Sequence, residues 1–95
     1  MMKISIKNKV QIFNGAAAWY FMELPKEMSD EIRKQIIFKR GWGAVRVRAR
    51  IGKTEWDTSI FPLKNKNYFL ALKKEVRTRE KIELGQEIEV EIEFE

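Results

Sequence analysis

The chain has no cysteine and no histidine, and only two prolines and five glycines in 95 residues. No apolar run approaches the roughly 20 residues needed to span a bilayer. Without cysteine and histidine, zinc-finger ligation, Ser-His-Asp and Cys-His nucleophiles, thiol redox couples and histidine general bases all drop out. Metal ligation and a cofactor are not expected. No disulfide can form, which makes the cytoplasm the expected compartment. The start, Met1-Met2-Lys3-Ile4-Ser5, has no secretory apolar core. The length suits one domain with a modest core, taken as residues 1–95.

What is present is charge, and it is unevenly laid. The net charge of +5 divides into +4 over residues 1–40, +7 over 41–79 and −6 over 80–95. A basic middle with an acidic end is the profile of a nucleic-acid surface with a regulatory tail. The fine pattern says otherwise. In Val45-Arg46-Val47-Arg48-Ala49-Arg50-Ile51 charged and apolar residues alternate, as they do in Glu87-Ile88-Glu89-Val90-Glu91-Ile92-Glu93-Phe94-Glu95. Period two marks half-buried strands, each with one apolar and one charged face. Two readings compete for Arg46, Arg48 and Arg50. If the two segments neighbour one another, Arg faces Glu and the stripe is neutralised. If they do not, the stripe is a nucleic-acid site.

The remaining segments follow from the same periodicities. Residues 4–14 alternate as a first strand, with Asn14-Gly15 as a turn signal. Residues 18–24 read as a second strand with apolar groups on both faces, ended by Leu24-Pro25. From Lys26 to about Arg40 the spacing of Met28, Ile32 and Ile36 predicts an amphipathic helix. Ser29 is the expected N-cap and Gly41 the stop. Gly52-Lys53 makes a tight turn into a strand over 55–61. Residues 62–67 form a loop and 68–72 a short strand. Residues 73–81 make one or two helical turns with Leu72 and Val76 inward, and Gly85 turns the chain into the last strand. Six strands, one helix and one short helical turn predict a mainly β fold, a small closed or partly open six-stranded antiparallel barrel.

The spaced motifs Trp19-x-Phe21-x-x-Leu24-Pro25, Gly41-Trp42-Gly43-x-Val45-x-Val47, Ile51-Gly52-x-Thr54-x-Trp56-x-Thr58-Ser59-x-Phe61-Pro62 and Tyr68-x-Leu70, followed by Lys73-Lys74-x-Val76-Arg77 and Gly85, resemble the bacterial family catalogued as domain of unknown function nineteen-oh-five. The resemblance implies a β-barrel of the double-split type, a fold shared with swapped-hairpin transcription regulators. It also implies that some relatives carry the domain beside a helical domain of the bacteriocin-protection type. Ala71 stands where the family commonly has Pro, and Gln86 where it commonly has Asp. The family carries no established activity.

Three groups are candidates for function. Lys53, Thr54, Trp56, Thr58 and Ser59, with Lys73, Lys74 and Arg77, combine backbone amides, hydroxyls and cations near a turn and a helix start, the parts of an anion site. Trp42 sits between two glycines and could floor a ligand pocket, while Trp19 and Trp56 are assigned to the core. Glu55 and Asp57 share a strand face as the best carboxylate pair, without any spacing diagnostic of catalysis. The expected function is a non-enzymatic binding module for an anionic small molecule or an acidic protein. Nucleic-acid binding through the Arg stripe and carboxylate or Lys catalysis are the alternatives. No membrane partner is expected.

Overall fold

The computed structural model describes residues 3–13, 19–40, 43–63 and 67–94, without the side chains of 35–40. Six strands and two helices follow one another as β1 (Lys3–Phe13), β2 (Trp19–Glu23), α1 (Lys26–Arg40), β3 (Val45–Ile51), β4 (Thr54–Pro62), β5 (Tyr68–Ala71), α2 (Lys74–Glu80) and β6 (Glu87–Phe94). The strands close into a barrel in the order β1-β2-β5-β4-β3-β6, every pair antiparallel. The expected barrel is therefore found, and it is the closed form. Closure lets every strand pair on both sides.

Two long strands make closure possible with so few strands. β1 pairs with β6 over Lys3–Lys9 and with β2 over Val10–Phe13. β4 pairs with β3 from Thr54 to Ile60 and with β5 from Ile60 to Pro62. The alternating residues sort as period two requires: in β3 every second residue is buried, and the three arginines between them point out. Val10, Met22, Val47, Ile60, Leu70, Val90 and Ile92 fill the interior at 2% exposure or less. Each such side chain contributes roughly 1.5–3 kcal/mol of burial. Ile32 and Met28 of α1 and Val76 of α2 join the same cluster. Among the described residues, no helix is long and apolar enough to cross a membrane.

Ser29 is not the N-cap of α1. The helix is already running at that point, because the Ser29 N–H donates to the Pro25 carbonyl at 2.9 Å. Pro25, with its fixed φ and missing N–H, is well suited to lead in the first turn. Ser29 is instead fully buried as a bridge: its Oγ accepts from the Tyr68 N–H at 3.0 Å and donates to the Leu24 carbonyl at 3.4 Å, tying α1 to β2 and β5. Gly41, Trp42 and the Asn14-Gly15 turn lie outside the described residues. The hairpin between β3 and β4 is the expected tight turn, with Gly52 at φ +57°. α2 ends on Lys81, a non-glycine in the left-handed region (φ 53°, ψ 46°) whose N–H caps the Arg77 carbonyl.

Candidate functional site

The strand register settles what the arginine stripe faces. Arg48 and Arg50 of β3 lie opposite Glu93 and Glu91 of β6 on one side, and opposite Asp57 and Glu55 of β4 on the other. Beyond β6, Lys3, Lys7 and Lys9 of β1 lie opposite Glu93, Glu89 and Glu87. The outer wall over β1, β6, β3 and β4 thus alternates in sign strand by strand: Lys, Glu, Arg, then Glu and Asp. Contacts within it include Arg50 to Glu91 at 3.1 Å, Lys3 to Glu91 at 3.4 Å, and Arg48 to Asp57 and Glu55 at 3.1 and 3.8 Å. Arg46, opposite Ser59, is engaged as well. Hydrogen bonding from Arg50 holds the Glu91 carboxyl below the usual carboxylate range; desolvation opposes this, and the charges of Arg50 and Lys3 assist. The six cations and six anions of these strands cancel, so the whole net charge of +5 sits elsewhere on the chain. Exposed pairs of this kind stabilise little individually, but together they erase the field of the most basic segment.

The residues expected to form an anion site are divided between the two ends of α2. At one end, Thr54 is buried and its Oγ1 donates to the Glu80 carboxylate at 2.6 Å. Glu80 also lies against Gly52, where an added Cβ would collide with its Oε1. The corner at Gly52-Lys53-Thr54 does attract a carboxylate, and the protein supplies it from α2. At the other end, Lys73 and Lys74 are exposed, while Arg77 donates from Nε to the Leu72 carbonyl at 3.0 Å and stacks on Tyr20 at 3.8 Å. Trp56 is a core residue at 7% exposure. Thr58 is half-buried on the inner side of β4, and Ser59 is half-buried on its outer side. Trp42 lies outside the described residues. Asp57 and Glu55 both serve Arg48. Among the described residues, no group of three or more Asp or Glu could hold a metal ion.

Trp19, assigned to the core from sequence, is 51% exposed. It belongs to an aromatic stripe on the outer wall opposite in character to the ion ladder. Phe13 of β1, Phe21 of β2, Phe69 of β5 and Phe61 of β4 form the rest. Phe13 and Phe21 stack with ring centroids 4.1 Å apart, and Phe69 meets Phe13, Phe21 and Phe61 at 5.6 Å each. Phe21 and Phe69 are covered, while Phe13 and Phe61 stay 38% and 37% exposed. Strand parity places them there: Phe13 has the parity of Lys7 and Lys9, and Phe61 that of Glu55 and Asp57.

Beside the stripe, an open groove of about 440 Å³ is lined by polar residues including Asn8, Lys9, Gln11, Glu23 and Asn67. Asn8 donates to the Glu23 carbonyl at 2.8 Å and Asn67 to the Glu23 carboxylate at 2.6 Å. Gln11 pairs in register with Phe21 and Glu23 with Phe69, so the polar groove and the aromatic stripe adjoin.

A comparison with curated proteins finds no match. The profile of one family does match, over residues 7–92 and so over nearly the whole length, and it is described as a domain of unknown function, DUF1905. The chain belongs to that family.

Proposed function

We propose that this domain is a non-enzymatic binding module that works through the aromatic stripe on its outer wall. One observation carries the reading. Trp19, Phe13 and Phe61 stay between about a third and a half exposed; Phe13 and Phe61 rest against two covered rings, Phe21 and Phe69, and Trp19 lies opposite Phe13 in register. Exposed apolar residues scattered singly need no explanation, but rings in mutual contact on a wall otherwise made of ion pairs mark a surface kept for a partner. The neighbouring groove supplies polar groups that could orient what the rings hold.

Catalysis has little to stand on. The best carboxylate pair, Glu55 and Asp57, is committed to Arg48 on an open wall. The anionic-ligand version retains Lys73 and Lys74 as accessible cations, because Thr54 and Arg77 already have partners within the fold. The double-split description of the barrel, its treatment as one domain over residues 1–95, a bacterial source and a cytoplasmic setting belong to the same proposal.

Amide shift mapping by NMR tests it, with a panel of a proline-rich decapeptide, a short oligosaccharide, a nucleoside monophosphate and a decanucleotide. Saturable shifts should gather on residues 11–13, 19–23, 61 and 69–71. If no ligand moves these amides, or if shifts gather on the ion ladder instead, the reading fails.

A further inference from the structure

Resting on that reading of the stripe, we infer that the aromatic wall is a stacking platform for single-stranded nucleic acid, with Lys73 and Lys74 at its end receiving phosphates.

Size comes first. Half of a tryptophan and somewhat over a third of each of two phenylalanines leave about 300 Å² of ring surface open, taking roughly 200–250 Å² per ring. A stable protein interface needs about 800 Å² per partner. The stripe is therefore too small to hold a second copy of this chain by itself. It suits a narrow ligand that gains from each ring in turn. Three open rings on a sheet face match the two or three bases that sheet-borne aromatics stack in single-strand recognition.

Charge then separates nucleic acid from a neutral polymer. The whole excess of +5 lies outside the ladder. Part of it lies next to the rings. β2 and β5 pair Phe21 with Ala71, and the Leu72 N–H donates to the Tyr20 carbonyl at 2.8 Å, which carries the pairing one residue further. Lys73 follows in extended conformation (φ −68°, ψ 155°) and so falls at the register position opposite Trp19, the most exposed ring among the described residues. Lys73 and Lys74 are both exposed, and no ion pair holds either among the described residues. Rings that take bases and lysines that take phosphates thus meet at one place. The Arg stripe has no part in this site, since it faces its own carboxylates.

Fluorescence anisotropy with labelled ten-nucleotide oligothymidylate and oligouridylate, at about 50 and 200 mM salt, tests the inference. Saturable binding is expected, weaker at higher salt, with a duplex of the same length binding less well than either strand. Trp19→Ala and Phe61→Ala should each weaken binding at least about fivefold, and Trp19→Tyr should restore most of the loss. Joint replacement of Lys73 and Lys74 by Ala should flatten the salt dependence by roughly 1.4 units of slope, about 0.7 for each lysine. Arg50→Ala, on the ladder, should change affinity less than about twofold. Circular dichroism confirms that each variant is folded; both ring positions are exposed, so each checks the other. No saturable binding at 50 mM salt overturns the inference, as does binding that Arg50→Ala weakens and Trp19→Ala does not. Should the oligonucleotides fail while the proline-rich peptide shifts the amides of Phe13, Trp19 and Phe61, the ligand class falls and the binding surface stands. If no member of the panel moves them, both fall.

Discussion

Replacing Gly52 by alanine perturbs the hairpin corner in two separable ways. The backbone there sits at φ +57°, a conformation that costs a residue with a Cβ about 1 kcal/mol. The added Cβ would also meet Glu80 Oε1, so the carboxylate must move. Moving it weakens the 2.6 Å hydrogen bond from the hydroxyl of Thr54, a residue only 9% exposed. A buried hydroxyl deprived of a charged acceptor costs about 1–3 kcal/mol. Gly52→Ala should therefore destabilise the protein by about 2–3 kcal/mol, and Glu80→Ala alone by about 1–2. The two effects share a cause, so they cannot add. In the Glu80→Ala background the collision is gone and Gly52→Ala should cost only about 1 kcal/mol. Urea unfolding followed by circular dichroism on the wild type, both single variants and the double variant measures the coupling. The double variant is expected to be at least about 1 kcal/mol less damaged than the two single effects predict. Additivity within about 0.5 kcal/mol would refute the placement of Glu80 against Gly52 and Thr54.

Tyr68 is fully buried and its hydroxyl finds no hydrogen-bond partner among the described residues, so Tyr68→Phe should be neutral or stabilise the protein by up to about 1 kcal/mol in the same urea assay. Burial raises the pKa of that phenol above its ordinary 10.0, against the opposing charge of Arg33. Its contribution to stability is therefore complete below pH 10 and is lost as pH climbs through the higher folded value; absorbance at alkaline pH should show Tyr68 ionising late, with or after unfolding. Lys81→Gly relieves a left-handed non-glycine at the end of α2 and should raise stability by about 0.5–1 kcal/mol, a few degrees in Tm for a domain of this size. Glu91 behaves oppositely to Tyr68: its folded pKa lies below the unfolded one, so its contribution is present above the ordinary carboxylate pKa and is lost as pH falls through the folded value. Arg50→Ala should bring the Glu91 carboxyl, followed by NMR titration, back up toward the ordinary range.

The barrel was readable because most of its strands announce inside and outside residue by residue. In β3 and β6 every second residue is charged, so direction and pairing follow together. β2 carries no such code: Trp19, Tyr20, Phe21 and Met22 offer apolar groups to both faces, and nothing local says that Tyr20 and Met22 turn inward while Trp19 turns out. A usable signal lay in the neighbours. Phe13 and Phe61 occupy the parity of charged residues in their own strands, and two rings at outer positions point to an aromatic wall into which Trp19 then fits. The anion-attracting corner was legible as chemistry and not as a site. Residue types identified a place that draws carboxylates, but the carboxylate is Glu80, 26 positions beyond Thr54 and brought there only by α2 crossing toward β4. Ser29 was misassigned for a similar reason. Its tertiary partner, the Tyr68 N–H, is 39 residues away, and a serine near a helix start looks like a cap whether or not it is one.

A closed barrel restricts where a module of this size can act. Among the described residues it has no free strand edge to offer an extended peptide, because each strand is paired on both sides. Its interior is filled, and α1 and α2 contribute Met28, Ile32 and Val76 to that filling. The outer wall is what remains, and it is split. Over β1, β6, β3 and the first part of β4, charges of opposite sign face one another and consume each other's field. Over the end of β1, β2, β5 and the end of β4, rings face solvent, with charge at the margins, where Glu23 lies opposite Phe69 and Lys73 at the register position opposite Trp19. A ligand drawn to the first wall would have to break several ion pairs before making its own. One drawn to the second displaces only water from ring faces already held in place by Phe21 and Phe69. The segment with the greatest density of arginine is thus the poorer candidate for recognition, and the segment with none is the better one.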